Sequence, residues 1–401
     1  MNSFQKIWCR TFQTVMKLAT PLLPWREPEI LEFENGTRGL GAFAKGKGYA
    51  KIFVVTGPNV YKKGLADELL KGFEENGVSY ALFNRVVNNP TIDNIEEAFA
   101  LYKAEGCDAI VALGGGSPMD LAKVVGARAA KPGKPVKKMK GLLKIMKRIP
   151  DLYAIPTTAG SGSETTIAAV VSDSKTHEKY AINDLSLIPR YAILDPRLTA
   201  ALPPQTTATT GMDALTHAVE AYIGRSNTKK TKECAEKAVK LIFDNLETAY
   251  RHGDDLTARA NMQKASYFAG VAFTRAYVGY VHALAHALGG FYGTPHGLAN
   301  SVLLPVVLEF YGESAHKPLA RLADITGVCK DGDDDAAKAA KFIARIKEMN
   351  FDMDIPATID GIRPEDIPEM AKRAAAEGNP LYPVPRLMGA DELEKIYGLI
   401  V

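Results

Sequence analysis

Histidine and aspartate side chains in the second half of the chain form the group best able to do chemistry. Asp213 and His217 are four residues apart, and three more histidines follow at His282, His286 and His296. Residues at i and i+4 of a helix point the same way, so each pair can face one cavity. Imidazole and carboxylate groups together bind first-row divalent metals, so the pattern predicts a metal site with five candidate ligands.

Each of these histidines also has an ordinary structural interpretation. A single buried histidine is more often a hydrogen-bonded core residue than a ligand, and one i,i+4 pair is weak evidence. Three imidazoles in one short segment, preceded by a carboxylate–histidine pair, are harder to explain by packing alone. The set as a whole therefore favours a metal ion.

Length and composition predict a two-domain, reduced, cytoplasmic protein. At 401 residues the chain exceeds what one hydrophobic core usually fills. A net charge of +3 gives no sign of nucleic acid or a membrane as partner, and no apolar run is long enough to span a bilayer. The four cysteines are scattered and form no C-x-x-C pair, which is typical of a reduced cytoplasmic protein.

Residues 1–28 are expected to form a helical extension. Residues 1–24 contain three basic side chains and no acidic one, as a targeting peptide does. Their apolar residues keep a helical spacing, but there is no uninterrupted apolar core and no small-residue cleavage site. We therefore expect a packing helix that ends at the prolines Pro21, Pro24 and Pro28.

Residues 29–198 have the alternating pattern of an α/β domain. Short strand-like runs occur at 51–56, 80–83, 109–113, 152–155, 168–171 and 191–194. Helical stretches separate them, which predicts βαβ units and a mostly parallel sheet. Residues 199–401 consist of long helical segments rich in alanine and leucine, and they predict an all-α second domain.

Two turns rich in glycine and hydroxyl groups follow predicted strands. The first is residues 114–120 (GGGSPMD), and the second is residues 157–164 (TTAGSGSE). Glycines let the backbone approach a pyrophosphate, and the amides at a helix N-terminus attract an anion. Ligands of open α/β sheets bind beyond the carboxyl ends of the strands, so the turns predict a dinucleotide site. The spacing is not that of the usual G-x-G-x-x-G motif.

Residues 131–148 form the one strongly basic segment and contain no acid. Such a block is most often a solvated surface. Because it lies between the first glycine turn and the next strand, the alternative is that it flanks a phosphate-bearing ligand.

Together these motifs resemble those of the iron-dependent, or group III, alcohol dehydrogenases. The resemblance runs from about residue 29 to the C-terminus through GGGSPMD, PTTAGSGSE, TTGMDALTHAVEAYI and HALAHALGGFYGTPHGLANSVLLP. It implies an α/β dinucleotide-binding domain and an all-α metal-binding domain, an architecture similar to that of dehydroquinate synthase. It also implies Fe²⁺ with Zn²⁺ as the alternative, NAD or NADP, an alcohol and its aldehyde as substrates, and a homodimer or larger homo-oligomer.

Position by position, the resemblance implies roles for individual residues. The implied metal ligands are Asp213, His217, His282 and His296. His286 matches instead a histidine beside substrate and nicotinamide, and we expect it to be the catalytic residue that relays a proton or orients the substrate. The implied pyrophosphate and ribose turn consists of Gly115, Gly116, Ser117 and Asp120. Other implied cofactor-binding residues are Asn89, Thr157, Thr158, Lys179 and Leu202.

Two departures from the family pattern bear on the substrates. Gly57 stands where many NAD-using members have an aspartate that hydrogen-bonds the adenosine ribose and repels a 2′-phosphate. Its presence predicts that NADP is accepted, with Lys62 and Lys63 nearby, although Gly57 could equally be a simple turn residue. In residues 272–277 (AFTRAY), Arg275 would favour a carboxylate- or hydroxyl-bearing substrate if it reaches the site, and is otherwise a surface ion-pair residue.

The reaction expected from these residues is hydride transfer where the two domains meet, with the metal ion polarising the substrate oxygen. Two other functions compete with it. One is a lyase of the dehydroquinate synthase type, whose ligand set includes a glutamate rather than the Asp-x-x-x-His pair. The other is a non-catalytic metal- or nucleotide-binding protein, against which the complete ligand set and the glycine turn argue.

Overall fold

The amphipathic N-terminal segment forms helix α1 (Ser3–Ala19), as its apolar spacing predicts. The computed structural model describes residues 1–176 and 178–401, and the chain divides into two units. Pro24–Thr199 form the α/β unit, and Ala200–Val401 form the helical unit together with Met1–Leu23. Helix α1 therefore packs within the helical unit.

Two sheets form the framework of the α/β unit. Their strands are β1 (Glu29–Leu31), β2 (Ile52–Thr56), β3 (Tyr80–Phe83), β4 (Ala109–Gly114), β5 (Gly141–Leu142), β6 (Asp151–Pro156), β7 (Ala168–Ser172), β8 (Lys179–Asn183) and β9 (Tyr191–Ile193). Six of them form a sheet in the order β1-β9-β6-β4-β2-β3, in which every neighbouring pair is parallel. The predicted parallel sheet is confirmed.

The strand-like run predicted at residues 168–171 forms β7, which belongs to a second, smaller sheet. Its order is β5-β8-β7, and β7 and β8 are antiparallel. The sequence pattern did not predict β1, β5 or β8. Strands β1 and β5 contain only three and two residues, too few to show a period of two.

Helices cover both faces of the parallel sheet. They are α2 (Leu40–Lys47), α3 (Pro58–Lys62), α4 (Asp67–Glu75), α5 (Ile92–Ala104), α6 (Gly116–Ala130) and α7 (Arg197–Ala200). Strands β2 and β4 are buried along their whole length. Alternate residues of β2 enter different cores, Phe53 and Val55 on one face and Ile52 and Val54 on the other.

The rest of the helical unit consists of α8 (Pro204–Ile223), α9 (Lys229–Arg251), α10 (Leu256–Ala276), α11 (Tyr280–Tyr292), α12 (His296–Tyr311), α13 (Glu313–Thr326), α14 (Asp335–Asp352), α15 (Ile367–Gly378) and α16 (Ala390–Tyr397). The predicted all-α domain is confirmed. Helix α8 packs closely on α9 at Gly211. A Cβ atom added there would lie only 2.3 Å from Cδ1 of Leu246, so a larger residue would not fit. Among the described helices we find none with the length and apolar character needed to cross a bilayer.

Candidate functional site

Three buried side chains of the helical unit bring their ligand atoms together. Asp213 and His217 lie one turn apart on α8, and His282 lies in the first turn of α11. One ligand atom from each of the three lies within 4.8 Å of the other two. Atoms this close need only small side-chain movements to reach bonds of about 2.0–2.2 Å to a shared ion. Each of the three residues is at most 5% exposed, so an ion among them would be shielded from water.

His296, the first residue of α12, adjoins this group from a more open side. Its Nε2 lies 3.5 Å from Oδ1 of Asp213, and Nε2 of His282 lies 3.9 Å from the same oxygen. The side chain of His296 is 43% exposed, in contrast to the other three. A site that is closed on one side and accessible on the other is typical of a catalytic rather than a structural metal ion.

The amide of Asn300 shows that these residues fit a cation. Its Nδ2 lies 2.6 Å from Oδ1 of Asp213, 3.2 Å from Nε2 of His282 and 3.1 Å from Nε2 of His296. An amide nitrogen carries two hydrogens, so it cannot satisfy three acceptors at once. Its own oxygen is buried and has no hydrogen-bond partner among the described residues. Lone pairs that converge in this way suit a metal ion better than an amide.

Glu220 orients His282 from behind. Its carboxylate lies 2.6 Å from Nδ1 of His282 and accepts hydrogen bonds of 2.8 Å from the backbone amides of Gly279 and Val281. With Nδ1–H donating to Glu220, the lone pair of Nε2 faces Asp213. Burial raises the pKa of Glu220 to about 8, and its hydrogen bonds act in the opposite direction. Burial also lowers the pKa of His282 well below its usual value, which keeps the ring neutral.

The ring of His217 is held between two other rings. It stacks on Phe273 with centroids 4.1 Å apart and on His282 with centroids 4.5 Å apart. Phe273 belongs to residues 272–277, the segment in which Arg275 also lies. Arg275, in the same segment, lies half-buried in the last turn of α10. Its predicted contact with a substrate stays a prediction.

His286 lies one turn after His282 and is more exposed. Its Nδ1 lies 2.7 Å from Oε1 of Glu377, which also accepts a hydrogen bond of 2.7 Å from the Tyr382 hydroxyl. The ring of His286 stacks on that of His296 with centroids 5.2 Å apart, and its side chain is 47% exposed. A half-exposed imidazole fixed by a carboxylate beside the metal group is suited to proton relay.

Replacing Glu220 by glutamine is expected to weaken metal binding about 10- to 100-fold, the usual effect of losing the partner that orients a ligand. A glutamine side chain offers one acceptor oxygen, whereas Glu220 accepts from three donors on two oxygens. The measurement is a competition titration of metal affinity. Glu233→Gln, at a half-exposed carboxylate on α9, is the control. Equal affinities of the two variants would contradict this role.

In the α/β unit, the first glycine turn joins β4 to α6. Gly114 has a φ of 153°, and a Cβ atom added there would lie 2.5 Å from Cγ of Pro118. The turn therefore requires glycine at this position. Gly115 caps α6 without a side chain, which leaves the first amides of this 15-residue helix accessible to an anion.

Other predicted cofactor residues surround this turn. The backbone N–H of Asn89 donates to Oγ of Ser117 at 3.2 Å, and Nζ of Lys179 donates to Oδ1 of Asn89 at 2.8 Å. The Thr157 amide donates to the carbonyl of Gly114 at 3.1 Å. The remaining predicted residues of the two turns are Gly116, Asp120 and Thr158. Thr158 lies close to the first turn, because a Cβ atom added at Gly115 would be 3.4 Å from its Oγ1.

Two predicted cofactor residues lie outside these contacts, although Gly57 directly follows Thr56, which pairs with Leu113 next to the turn. Gly57 is the N-cap of α3 at the end of β2, and a Cβ atom there would meet only the carbonyl of Val86, 3.9 Å away. Leu202 belongs to the helical unit, between α7 and α8. Their roles stay predictions.

Lys123 is a buried residue of this region that the sequence pattern did not single out. Its Nζ lies within 3.2 Å of four oxygens, those of Ser163, of Ala168 and two of Thr166. It thereby ties α6 to the second glycine-rich turn. Burial lowers its pKa to about 8 and raises the pKa of nearby Asp120 to about 6. The sequence does contain a signal for Lys123, since it is a lysine on an otherwise apolar face of the predicted helix.

The basic segment 131–148 is anchored by its apolar residues. Val136, Met139 and Ile145 are buried. Lys137 donates to Asp173 at 3.2 Å, and Lys140 forms an ion pair with Glu178. These contacts are those of an ordinary surface segment, and a role beside a phosphate stays a prediction.

Comparison with known proteins gives matches over nearly the whole chain. Residues 28–196 match the family model described as iron-containing alcohol dehydrogenase, and residues 207–401 match that of the Fe-containing alcohol dehydrogenase family, C-terminal. Helix α1 lies outside both matches.

Similar proteins and structures carry related names. The chain is 38% identical to a 1,3-propanediol dehydrogenase of Klebsiella pneumoniae, over 87% of this chain and 91% of that one. It is 37% identical to the NAD-dependent methanol dehydrogenase of Bacillus methanolicus, over 85% and 90% of the two chains. The crystal structure of a 1,3-propanediol oxidoreductase superposes with a TM-score of 0.90 at 36% identity, covering 94% of this chain and 99% of the other.

Proposed function

This chain belongs to the iron-containing alcohol dehydrogenase family, and we propose that it interconverts a primary alcohol or a diol and the corresponding aldehyde by hydride transfer to or from NAD or NADP. The observation that carries the proposal is the convergence of Asp213, His217 and His282 within 4.8 Å, with His296 3.5 Å from Asp213. Relatives named for 1,3-propanediol and methanol support this substrate class.

The proposed metal ligands are Asp213, His217, His282 and His296, with Fe²⁺ as the ion and Zn²⁺ as the alternative. The donor set of three imidazoles and one carboxylate leaves room for a substrate oxygen. When bound, the ion supplies a Lewis acid for that oxygen, and the nicotinamide supplies or accepts the hydride. Glu220 keeps His282 in the tautomer that points Nε2 at the site.

The proposed cofactor contacts begin with the exposed amides at the start of α6, which bind the pyrophosphate. The proposed cofactor-binding residues are Gly57, Asn89, Gly115, Gly116, Ser117, Asp120, Thr157, Thr158, Lys179 and Leu202. We propose that residues 29–198 form the dinucleotide-binding domain and residues 199–401 the metal-binding domain. We also propose that the protein is cytoplasmic, which its four free cysteines support, and that it forms a homodimer or larger homo-oligomer.

Replacing His286 by alanine is expected to lower kcat about 100-fold or more while metal affinity stays unchanged, because positioned proton transfer contributes about 10²–10⁴. Glu377 fixes the imidazole 2.7 Å away, so the loss removes an oriented group. The measurement pairs kcat with metal content. His252→Ala, at an exposed histidine, serves as the control. Loss of metal together with activity would make His286 a ligand instead.

The proposed function is tested by the absorbance of reduced nicotinamide. Protein loaded with Fe²⁺ or Zn²⁺ is given primary alcohols and diols with NAD or NADP, and aldehydes with the reduced cofactors. We expect turnover with at least one primary alcohol or diol and its aldehyde. No change with any pair would overturn the proposal and favour a non-catalytic binding protein.

A further inference from the structure

Two hydrogen bonds to one carboxylate oxygen hold the imidazole of His286. Its Nδ1 lies 2.7 Å from Oε1 of Glu377, and the Tyr382 hydroxyl donates to the same oxygen at 2.7 Å. Because a carboxylate oxygen accepts from both, Nδ1 carries the hydrogen and Nε2 presents its lone pair. All three residues belong to the helical unit.

Glu377 cannot fix the imidazole by itself. It lies one residue before the end of α15, and its side chain is 34% exposed. A partly exposed glutamate samples several rotamers and loses that freedom only when a second contact holds it. The Tyr382 hydroxyl is that contact. Burial and the nearby carboxylate raise its pKa well above the usual value, so the hydroxyl stays a donor.

The segment that carries Tyr382 has few donors of its own. Residues 379–385 (NPLYPVP) contain three prolines, which have no N–H and do not fit a regular helix or the interior of a sheet. The carbonyl oxygens of the segment therefore need donors from elsewhere in the helical unit. The backbone N–H of Arg225 supplies one of them, to the carbonyl of Pro383 at 2.6 Å.

Helix α1 supplies donors for four more of these carbonyls. Gln13 is buried, and its Nε2 donates to the carbonyls of Pro380 at 3.0 Å and Tyr382 at 2.7 Å. The guanidinium of Arg10 donates to the carbonyls of residues 384–385 at 2.8 and 2.9 Å. A buried carbonyl that loses its donor is destabilising, so α1 fixes the backbone on both sides of the Tyr382 side chain.

We propose that three residues position the imidazole of His286: Gln13, Tyr382 and Glu377. Gln13 holds the Tyr382 backbone, the Tyr382 hydroxyl holds Glu377, and Glu377 holds His286. Loss of any one contact leaves the imidazole free to rotate, whereas the proposed metal ligands on α8, α11 and α12 stay in place. Helix α1 thus belongs to the active site although it carries no proposed ligand. The inference rests on the proposed function, in which His286 acts during hydride transfer.

The test is a pair of double-mutant cycles against His286→Ala in the full-length, metal-loaded protein. Glu377→Ala and Tyr382→Phe should each lower kcat about tenfold or more, since a small misplacement of a catalytic group has large effects on rate. Metal content and KM for the alcohol should change less than about twofold. In the His286→Ala background both changes should have almost no further effect, which a general loss of fold would not produce.

Gln13→Ala should lower kcat in the same way, and Leu18→Ala, at an exposed residue of the same helix, should not. Tyr250→Phe is the matched control for Tyr382→Phe, because the Tyr250 hydroxyl also donates to a carboxylate, that of Asp354, at 2.7 Å. Tyr382→Phe removes one hydroxyl outside α1, so it tests the proposal even if Gln13→Ala does not fold.

A crystal structure of Tyr382→Phe gives a readout that needs no activity. We expect the Glu377 carboxylate in another rotamer and beyond hydrogen-bond distance of Nδ1 of His286. If the wild type transferred no hydride with any alcohol, the proposed function would fail, and this structure would still decide the positioning. An unchanged contact between Glu377 and His286 would overturn the proposal. So would wild-type kcat in both single variants, or effects that persist undiminished in the His286→Ala background.

Discussion

Replacing His217 by alanine is expected to lower kcat about a thousandfold or more, because the Lewis acid contributes several kcal/mol and each 1.36 kcal/mol is a factor of ten. The two rings that stack on His217 are Phe273, which has no lone pair to offer a metal, and His282, which is already a proposed ligand. The measurement is kcat in excess Fe²⁺ or Zn²⁺, together with metal content and a thermal unfolding curve to verify the fold.

Chelation of the wild-type protein is the matched control. Removing the metal should abolish activity, and Fe²⁺ or Zn²⁺ should restore it, whereas the same ions should leave His217→Ala inactive. Full activity of rigorously metal-free wild-type protein would contradict the assignment.

Replacing Gly57 by aspartate is expected to lower kcat/KM for NADP relative to NAD about 100-fold, because juxtaposed like charges cost several kcal/mol. The backbone at Gly57 has a φ of −87°, which any residue adopts, and an added Cβ atom would meet only one atom, 3.9 Å away. An aspartate is therefore accommodated without strain, and at the N-cap of α3 it also stabilises the helix.

The control for this change is Gly57→Asn, which has the shape of aspartate without its charge. It should retain NADP use, and the wild type should turn over with NADP at a measurable rate. A cofactor ratio that is the same in all three proteins would show that Gly57 is only a turn residue.

The parallel sheet was predictable because its central strands are continuous apolar runs. Strands β2 and β4 are buried on both faces, and such runs occur almost only in parallel sheets covered by helices. The smaller sheet was not predictable from local pattern. The antiparallel pairing of β7 with β8 depends on contacts between segments whose own sequences do not specify a partner.

The metal group was predictable where helix periodicity determines it. Asp213 and His217 point the same way because they are one turn apart, and Glu220 continues that face at i+7, although the sequence analysis did not single it out. Asn300 lies four residues after His296 and shares its helix face, whereas Glu377 comes from another helix and no spacing links it to His286. Spacing alone could not separate His286 from the ligands either, and its place outside the ligand set stays a prediction.

The most direct test of the account is an anomalous diffraction map at the iron or zinc edge from crystals of the metal-loaded protein. We predict one strong peak, bonded at about 2.0–2.2 Å to the carboxylate of Asp213 and the imidazoles of His217, His282 and His296, with His286 outside the coordination sphere. A peak held by other residues, or fully active crystals without any peak, would contradict the account.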